Sequence, residues 1–215
     1  MVAKHHDIYL FEVPQWGYQA EETDVIEISP RGNRIVVLAN VQLGGVLVLD
    51  TAQYDVAYRI EELEHGRSSV GAGFSADGET LFAAVQTGVT TGHRMSVAAV
   101  DGESGDLRAY RDSLEIFTLG GGTLHVDPRG GYVYIVGQRD RRPALVVLDA
   151  ATLETVAQID LPHQTCLPDD LPRFMVDLVL DQGEDRLYAV WMTHWWQFGT
   201  PGNSCIEWFD LPSEG

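Results

Sequence analysis

TLGGGTLHVDPRGGYVYIVGQRDRRPALVVLDAATLETVAQIDL, residues 118–161, divides into four short apolar runs separated by Gly, Pro and Asp. Leu124–Val126 leads into the turn Asp127-Pro128-Arg129-Gly130-Gly131, and Tyr132–Val136 follows it. A polar stretch, Gly137–Pro143, reads as a loop before Ala144–Leu148; Asp149–Glu154 reads as a second turn before Thr155–Leu161. The runs are too short for helices. They are rich in β-branched and aromatic residues and punctuated by turn formers, so they predict four antiparallel strands.

Working outward, the first turn recurs as Ser29-Pro30-Arg31-Gly32, Ser75-Ala76-Asp77-Gly78 and Asp181-Gln182-Gly183. From Ser29 through Ser75 and Asp127 to Asp181 the steps are 46, 52 and 54 residues. Pro presets φ at the second turn position, Ser or Asp caps the turn, and Gly takes the positive φ. The third strand recurs too, as Leu47-Val48-Leu49-Asp50, Val97-Ala98-Ala99-Val100-Asp101 and Val146-Val147-Leu148-Asp149. A four-strand unit repeated at this period predicts an all-β fold, a β-propeller of four-stranded antiparallel blades with about four to five blades per chain.

The units resemble the YVTN-type β-propeller repeat, whose blades carry an SPDG hairpin followed by a hydrophobic-Tyr-Val strand, and a hydrophobic-Asp-x-x-Thr third strand. The matching segments are Ser29–Val37, Ser75–Ala83 and Asp127–Val136, with strand ends Leu49-Asp50-Thr51 and Leu148-Asp149-Ala150-Ala151-Thr152. The resemblance implies a propeller over nearly the whole chain. The family includes lactonase-like enzymes, surface proteins and quinoprotein-dehydrogenase-like domains, so it implies no single activity.

Residues 1–215 read as one propeller domain: a partial blade at 5–22, blades at 24–62, 69–112 and 118–161, and a last blade at 173–211. Three arrangements fit this order. The N-terminal strands complete the last blade and close the ring; the array closes against a second chain, as in a homodimer; or the sequence is part of a longer chain.

The charge of −18, from 32 acidic and 14 basic residues, argues against nucleic acid and against an anionic membrane surface as partners. No apolar run is long enough to span a bilayer. No signal peptide is visible, and with two cysteines the expected location is cytoplasmic.

Propeller connectivity assigns the histidines to the face carrying the second-to-third-strand loops and the inter-blade loops. His5, His6, His65, His93, His163 and His194 fall there, and His125 is expected near the start of an innermost strand, toward the same mouth or the central channel. His163, Cys166, His194 and Cys205 together offer the two imidazoles and two thiols of a tetrahedral Zn²⁺ site. Alternatively Cys205 is a small buried strand residue, or Cys166 and Cys205 form a disulfide. Trp195 and Trp196, within His194-Trp195-Trp196-Gln197-Phe198, read either as a lid or anchor over a ligand or as a plug in the propeller mouth. Arg139, Arg141 and Arg142 form a dense basic cluster suited to an anion, or simply a solvated loop. His125 is either a general base or a hydrogen-bonded core residue, and Asp177 needs a partner if buried. His93, Arg139, Arg142, Trp195 and Trp196 are the candidate ligand-binding residues, and His125 and His194 the candidate catalytic ones. No nucleophile elbow, phosphate loop, Rossmann glycine pattern or HExxH motif is present. Two readings follow. One is a scaffold binding a small molecule or protein on the His- and Trp-rich face. The other is a hydrolase or lyase of the lactonase-like kind on the same face, assisted by a divalent metal.

Overall fold

The computed structural model describes residues 23–39, 45–63, 68–87, 94–116, 123–139, 142–160, 173–181, 186–193 and 204–210. These form fifteen strands and one 3-10 turn, Glu61–Leu63, in four consecutive antiparallel sheets. The first sheet holds β1 (Thr23–Ile28), β2 (Arg34–Ala39), β3 (Gly45–Asp50) and β4 (Val56–Arg59) in sequence order. The second holds β5 (Ser68–Phe74), β6 (Thr80–Thr87), β7 (Arg94–Asp101) and β8 (Leu107–Leu114). The third holds β9 (Thr123–Val126), β10 (Tyr132–Arg139), β11 (Arg142–Asp149) and β12 (Thr155–Asp160). The fourth contains β13 (Arg173–Asp181), β14 (Arg186–Thr193) and β15 (Ser204–Asp210), with no fourth strand among the described residues. The fold is all-β, an array of propeller blades. The partial blade expected at 5–22 lies outside the described residues.

The repeated turns are built by local hydrogen bonds. In the first, Ser29 N–H donates to the Arg34 carbonyl at 2.9 Å and Gly32 N–H to the Ser29 carbonyl at 2.8 Å, with Gly32 at φ +70°. The Ser29 hydroxyl accepts from the amides of Asn33 and Arg34. Ser75–Thr80 and Asp127–Tyr132 repeat the backbone pattern, with Gly78 and Gly130 at positive φ. The Asp that ends each third strand caps the next turn: Asp50 accepts from Ala52 and Gln53, Asp101 from Glu103 and Ser104, and Asp149 from Ala151 and Thr152. The Asp-x-x-Thr signature is therefore a turn cap of the kind Asp makes wherever its carboxylate reaches amides two and three residues on. The bulges repeat as well, between Val25 and Glu27, Ser69 and Gly71, and Met175 and Asp177 in first strands, and between the third and fourth strands of the first three sheets.

Consecutive sheets stack face to face, and their first strands lie side by side, β1 on β5, β5 on β9 and β9 on β13. Alternation along each strand gives two apolar faces. Val36, Leu38, Val46 and Val48 of the first sheet pack on Leu81, Ala83, Ala98 and Val100 of the second. The second sheet's other face, with Phe82, Ala84, Val97 and Ala99, packs on Val133, Ile135, Val146 and Leu148 of the third. Each fully buried Val, Leu, Ile or Phe among them contributes roughly 1.5–3 kcal/mol. The array is therefore held mainly through its sheet faces, while the outer strands β4, β8 and β12 are largely exposed.

A polar latch joins the first two sheets at their turns. Arg34 donates to Asp50 at 2.6 Å and to Glu103 at 2.5 Å, and Asn33 also reaches Glu103. The Tyr58 hydroxyl donates to the Gly102 carbonyl at 3.0 Å, and its ring lies against Gly105. Burial is the main cause that pushes the Tyr58 hydroxyl well above the usual phenol range.

One expected loop is shorter than its sequence suggested. Gly137, Gln138 and Arg139 pair with Ala144, Pro143 and Arg142, so the stretch read as a polar loop is mostly ladder. Gln86 and Thr87 likewise pair with Met95 and Arg94. Backbone pairing continues at an exposed sheet end whatever the polarity of the side chains there, because the main-chain groups still need partners.

Candidate functional site

The antiparallel order gives the array two different ends. At one end lie the first-to-second-strand turns and the Asp-capped third-to-fourth-strand turns. At the other lie the hairpin ends Ala39/Gly45, Thr87/Arg94, Arg139/Arg142 and Thr193/Ser204.

The turn end is acidic and structurally committed. The Asp50, Asp101 and Asp149 carboxyls are all held below the usual range, first of all by backbone amide hydrogen bonds, with Arg108 next for Asp101 and the Thr152 hydroxyl next for Asp149. A carboxyl whose pKa is depressed on folding adds stability above its unfolded value, about 3.9 for Asp, and that stability is lost as pH falls through the folded value. Urea midpoints are therefore expected to be flat from neutrality to about pH 5 and to fall below about pH 4. Asp101→Asn should flatten that acid limb.

Arg94, Arg139 and Arg142 stand at hairpin ends. Arg94 opens β7 and donates to the Ser113 hydroxyl, while the backbones of Arg139 and Arg142 pair across the β10–β11 hairpin. Arg139 is partly exposed and ion-paired with Asp160 of the neighbouring β12.

His93, His163, Cys166, His194, Trp195 and Trp196 lie outside the described residues. Cys205 belongs to β15, where its backbone pairs with Trp191 one residue from the hairpin end. Asp177 follows the β13 bulge and pairs with Val190. Among the described residues no three His, Cys, Asp or Glu side chains converge as a metal would require.

His125 differs in position from the sequence expectation. It is the third of four residues in β9 and pairs with Tyr134, which is the third of the eight β10 residues counted from the Asp127 turn. It therefore stands in the turn-side half of its sheet, not at the hairpin mouth, because β9 begins only at Thr123 and runs straight into Asp127. Its neighbourhood is titratable. Asp127 is 1 % exposed and accepts from the backbone and Nε of Arg129. Tyr134 is buried, and its hydroxyl is raised by burial first and by Asp127 second. By sequence Asp127 and Arg129 read only as turn residues; an Asp buried beside a Tyr on the adjacent strand becomes visible only once the register is known.

No protein-family model matches the sequence, and none of the curated proteins matches it. Solved structures do. The chain is similar to hydrazine synthase of Kuenenia stuttgartiensis, at 12 % identity over 86 % of this chain and 50 % of that one, with TM-score 0.60. It is similar to the WD40 domain of Toxoplasma gondii coronin, at 12 % identity, 89 % and 46 % coverage and TM-score 0.56. It is also similar to a candidate 6-phosphogluconolactonase of Bacteroides uniformis, at 14 % identity, 87 % and 58 % coverage and TM-score 0.50. These likenesses establish the propeller fold. The chain spans about half the length of the solved structures it matches. No helix among the described residues is long and apolar enough to cross a membrane.

Proposed function

We propose that the chain is a YVTN-type propeller scaffold that binds an anionic small molecule, or an acidic segment of a protein partner, on its hairpin end. The observation that carries this reading is the placement of Arg94, Arg139 and Arg142 at hairpin ends, opposite an end lined by capped aspartates. By sequence, His93, His194, Trp195 and Trp196 lie in the loops of that same end, where aromatic rings and a planar guanidinium together suit a carboxylate- or phosphate-bearing ligand. A thermal-shift screen of phosphorylated and carboxylated metabolites provides the first test. Trp195→Ala with Trp196→Ala, or Arg139→Gln with Arg142→Gln, should abolish the shift while leaving the ligand-free Tm within about 2 °C. A large loss of Tm in the tryptophan pair would instead show that the rings are core.

A second reading is favoured by the likeness to the lactonase candidate: a hydrolase or lyase of the lactonase-like kind on the same end. In that case His163, Cys166, His194 and Cys205 would hold a divalent metal such as Zn²⁺, supplying a Lewis acid, and His194 would move protons. Turnover of a lactone and ester panel that is abolished by chelation and by His194→Ala supports this reading, and turnover that survives both refutes it.

A further inference from the structure

Strand alternation carries one face of the third sheet out to its hairpin end. Val133 and Ile135 of β10, with Ala144, Val146 and Leu148 of β11, form the face packed on the second sheet. The β10–β11 register runs unbroken from Tyr132 to Arg139, and it sets Gly137 opposite Ala144 and Arg139 opposite Arg142. Positions 137, 139, 142 and 144 therefore share that face. Asp160 of β12 is opposite Ala144 and belongs to it too. Across the junction, alternation from Phe82 and Ala84 places Gln86 of the second sheet on the facing side, paired with Met95. Gln86 is a buried polar residue, so the junction turns from apolar to polar at its hairpin end.

Gly137 and Ala144 are small, which lets the Arg139 side chain lie across β11 and reach Asp160 at 2.5 Å. Arg139 and Asp160 are 33 % and 54 % exposed there. An ion pair that open to water is weak and exchanges partners readily. Like charges set directly opposite each other on antiparallel strands repel, so the Arg139 and Arg142 positions together favour a bridging anion. We propose that this hairpin end takes a doubly charged phosphate group, held between Arg139 and Arg142, and that Asp160 is the internal carboxylate it displaces from Arg139. The inference rests on the anion-binding reading above and narrows it. A monocarboxylate exchanges like for like with Asp160 on Arg139. A phosphate monoester carries about −1.5 to −2 at neutral pH and three acceptor oxygens, enough to bond two guanidinium groups at once. Asp160 in this arrangement competes for the site, so removing its charge tightens binding. A carboxylate that instead held Arg139 in place for the ligand would weaken binding when removed.

A nuclear magnetic resonance titration of the 215-residue protein provides the test. The probes are phenyl phosphate and benzoate, at about pH 7.5, where the phosphate is largely a dianion. The amides of residues 137–139, 142 and 144 and the arginine side-chain N–H signals report the site. Phenyl phosphate should bind at least about 10-fold more tightly than benzoate, because its second charge acts within contact distance of a cation. Asp160→Asn should tighten phenyl phosphate about 5-fold, and Arg139→Gln should abolish the response. If Arg139→Gln disturbs the wider spectrum, Arg139→Lys answers instead, with a weakened response because the planar fork is lost. An Asp160→Asn variant that binds no better than the wild type overturns the proposal and leaves the anion-binding reading standing, as does benzoate binding as tightly as phenyl phosphate. Equal shifts at Arg31, on the turn end, would mark general charge attraction and also overturn it. A wild-type chain silent to phenyl phosphate overturns the proposal; only silence across the thermal-shift screen as well overturns the reading beneath it.

Discussion

Gly71→Val is expected to cost about 3 kcal/mol of stability, at the upper end of overpacking effects. A Cβ at Gly71 would lie 2.8 Å from the backbone nitrogen of Leu124 and 3.1 Å from its Cβ, where ordinary carbon contacts need about 3.5–4.0 Å. The obstacle is main chain and cannot rotate away. β5 and β9 would have to separate, and the cluster holding Val70, Leu124 and Ile135 would open with them. Gly73 supplies the control. Its added Cβ meets Val126 Cγ2 at 3.0 Å, the end of a side chain that can shift. Gly73→Ala should therefore cost only about 1 kcal/mol. Urea midpoints of the two variants measure the contrast. Equal costs, or the reverse order, would mean that the first strands are not as close as described.

Arg34→Ala should cost about 2 kcal/mol. Arg34 is 9 % exposed and its fork joins Asp50, on its own sheet, to Glu103, on the next. Stripping one partner from a fully buried ion pair costs about 3–5 kcal/mol. Here the carboxylates left behind regain water, since the Asp50 and Glu103 side chains are 27 % and 61 % exposed, so the loss is smaller. Arg34→Lys should recover less than half of it, because one ammonium cannot bridge both acids with the geometry of a planar fork. In a double-mutant cycle with Glu103→Gln the coupling should be about 0.5–1 kcal/mol, limited by solvent at the Glu103 end. A coupling near zero would show that this contact between the sheets carries nothing.

These two positions mark the limit of what can be read from the chain alone. Gly71 looks like any strand glycine, since the residue it must accommodate, Leu124, lies in the next repeat. Arg34 looks like a turn residue, because Glu103 is 69 positions away. His125 was placed too near the hairpin mouth because a four-residue strand has little pattern to locate its ends. The candidate residues outside the described segments, His163, Cys166, His194, Trp195 and Trp196, are a reading of connectivity and residue type.

The amino-acid sequence by itself determined the repeat, the strand order within a blade and both turn types. The turns are built from hydrogen bonds spanning five residues or fewer and the strands from a two-residue alternation of apolar side chains, so each is written within one short segment, and short turns make consecutive strands neighbours. Tertiary structure alone decided which strand faces stack, where a glycine is needed for close approach, and which apolar face is left bare. The same Val, Leu, Ile or Trp is core at Val48 and Val147 and surface at Trp208. Nothing in its own strand distinguishes the cases; the presence of the next sheet does.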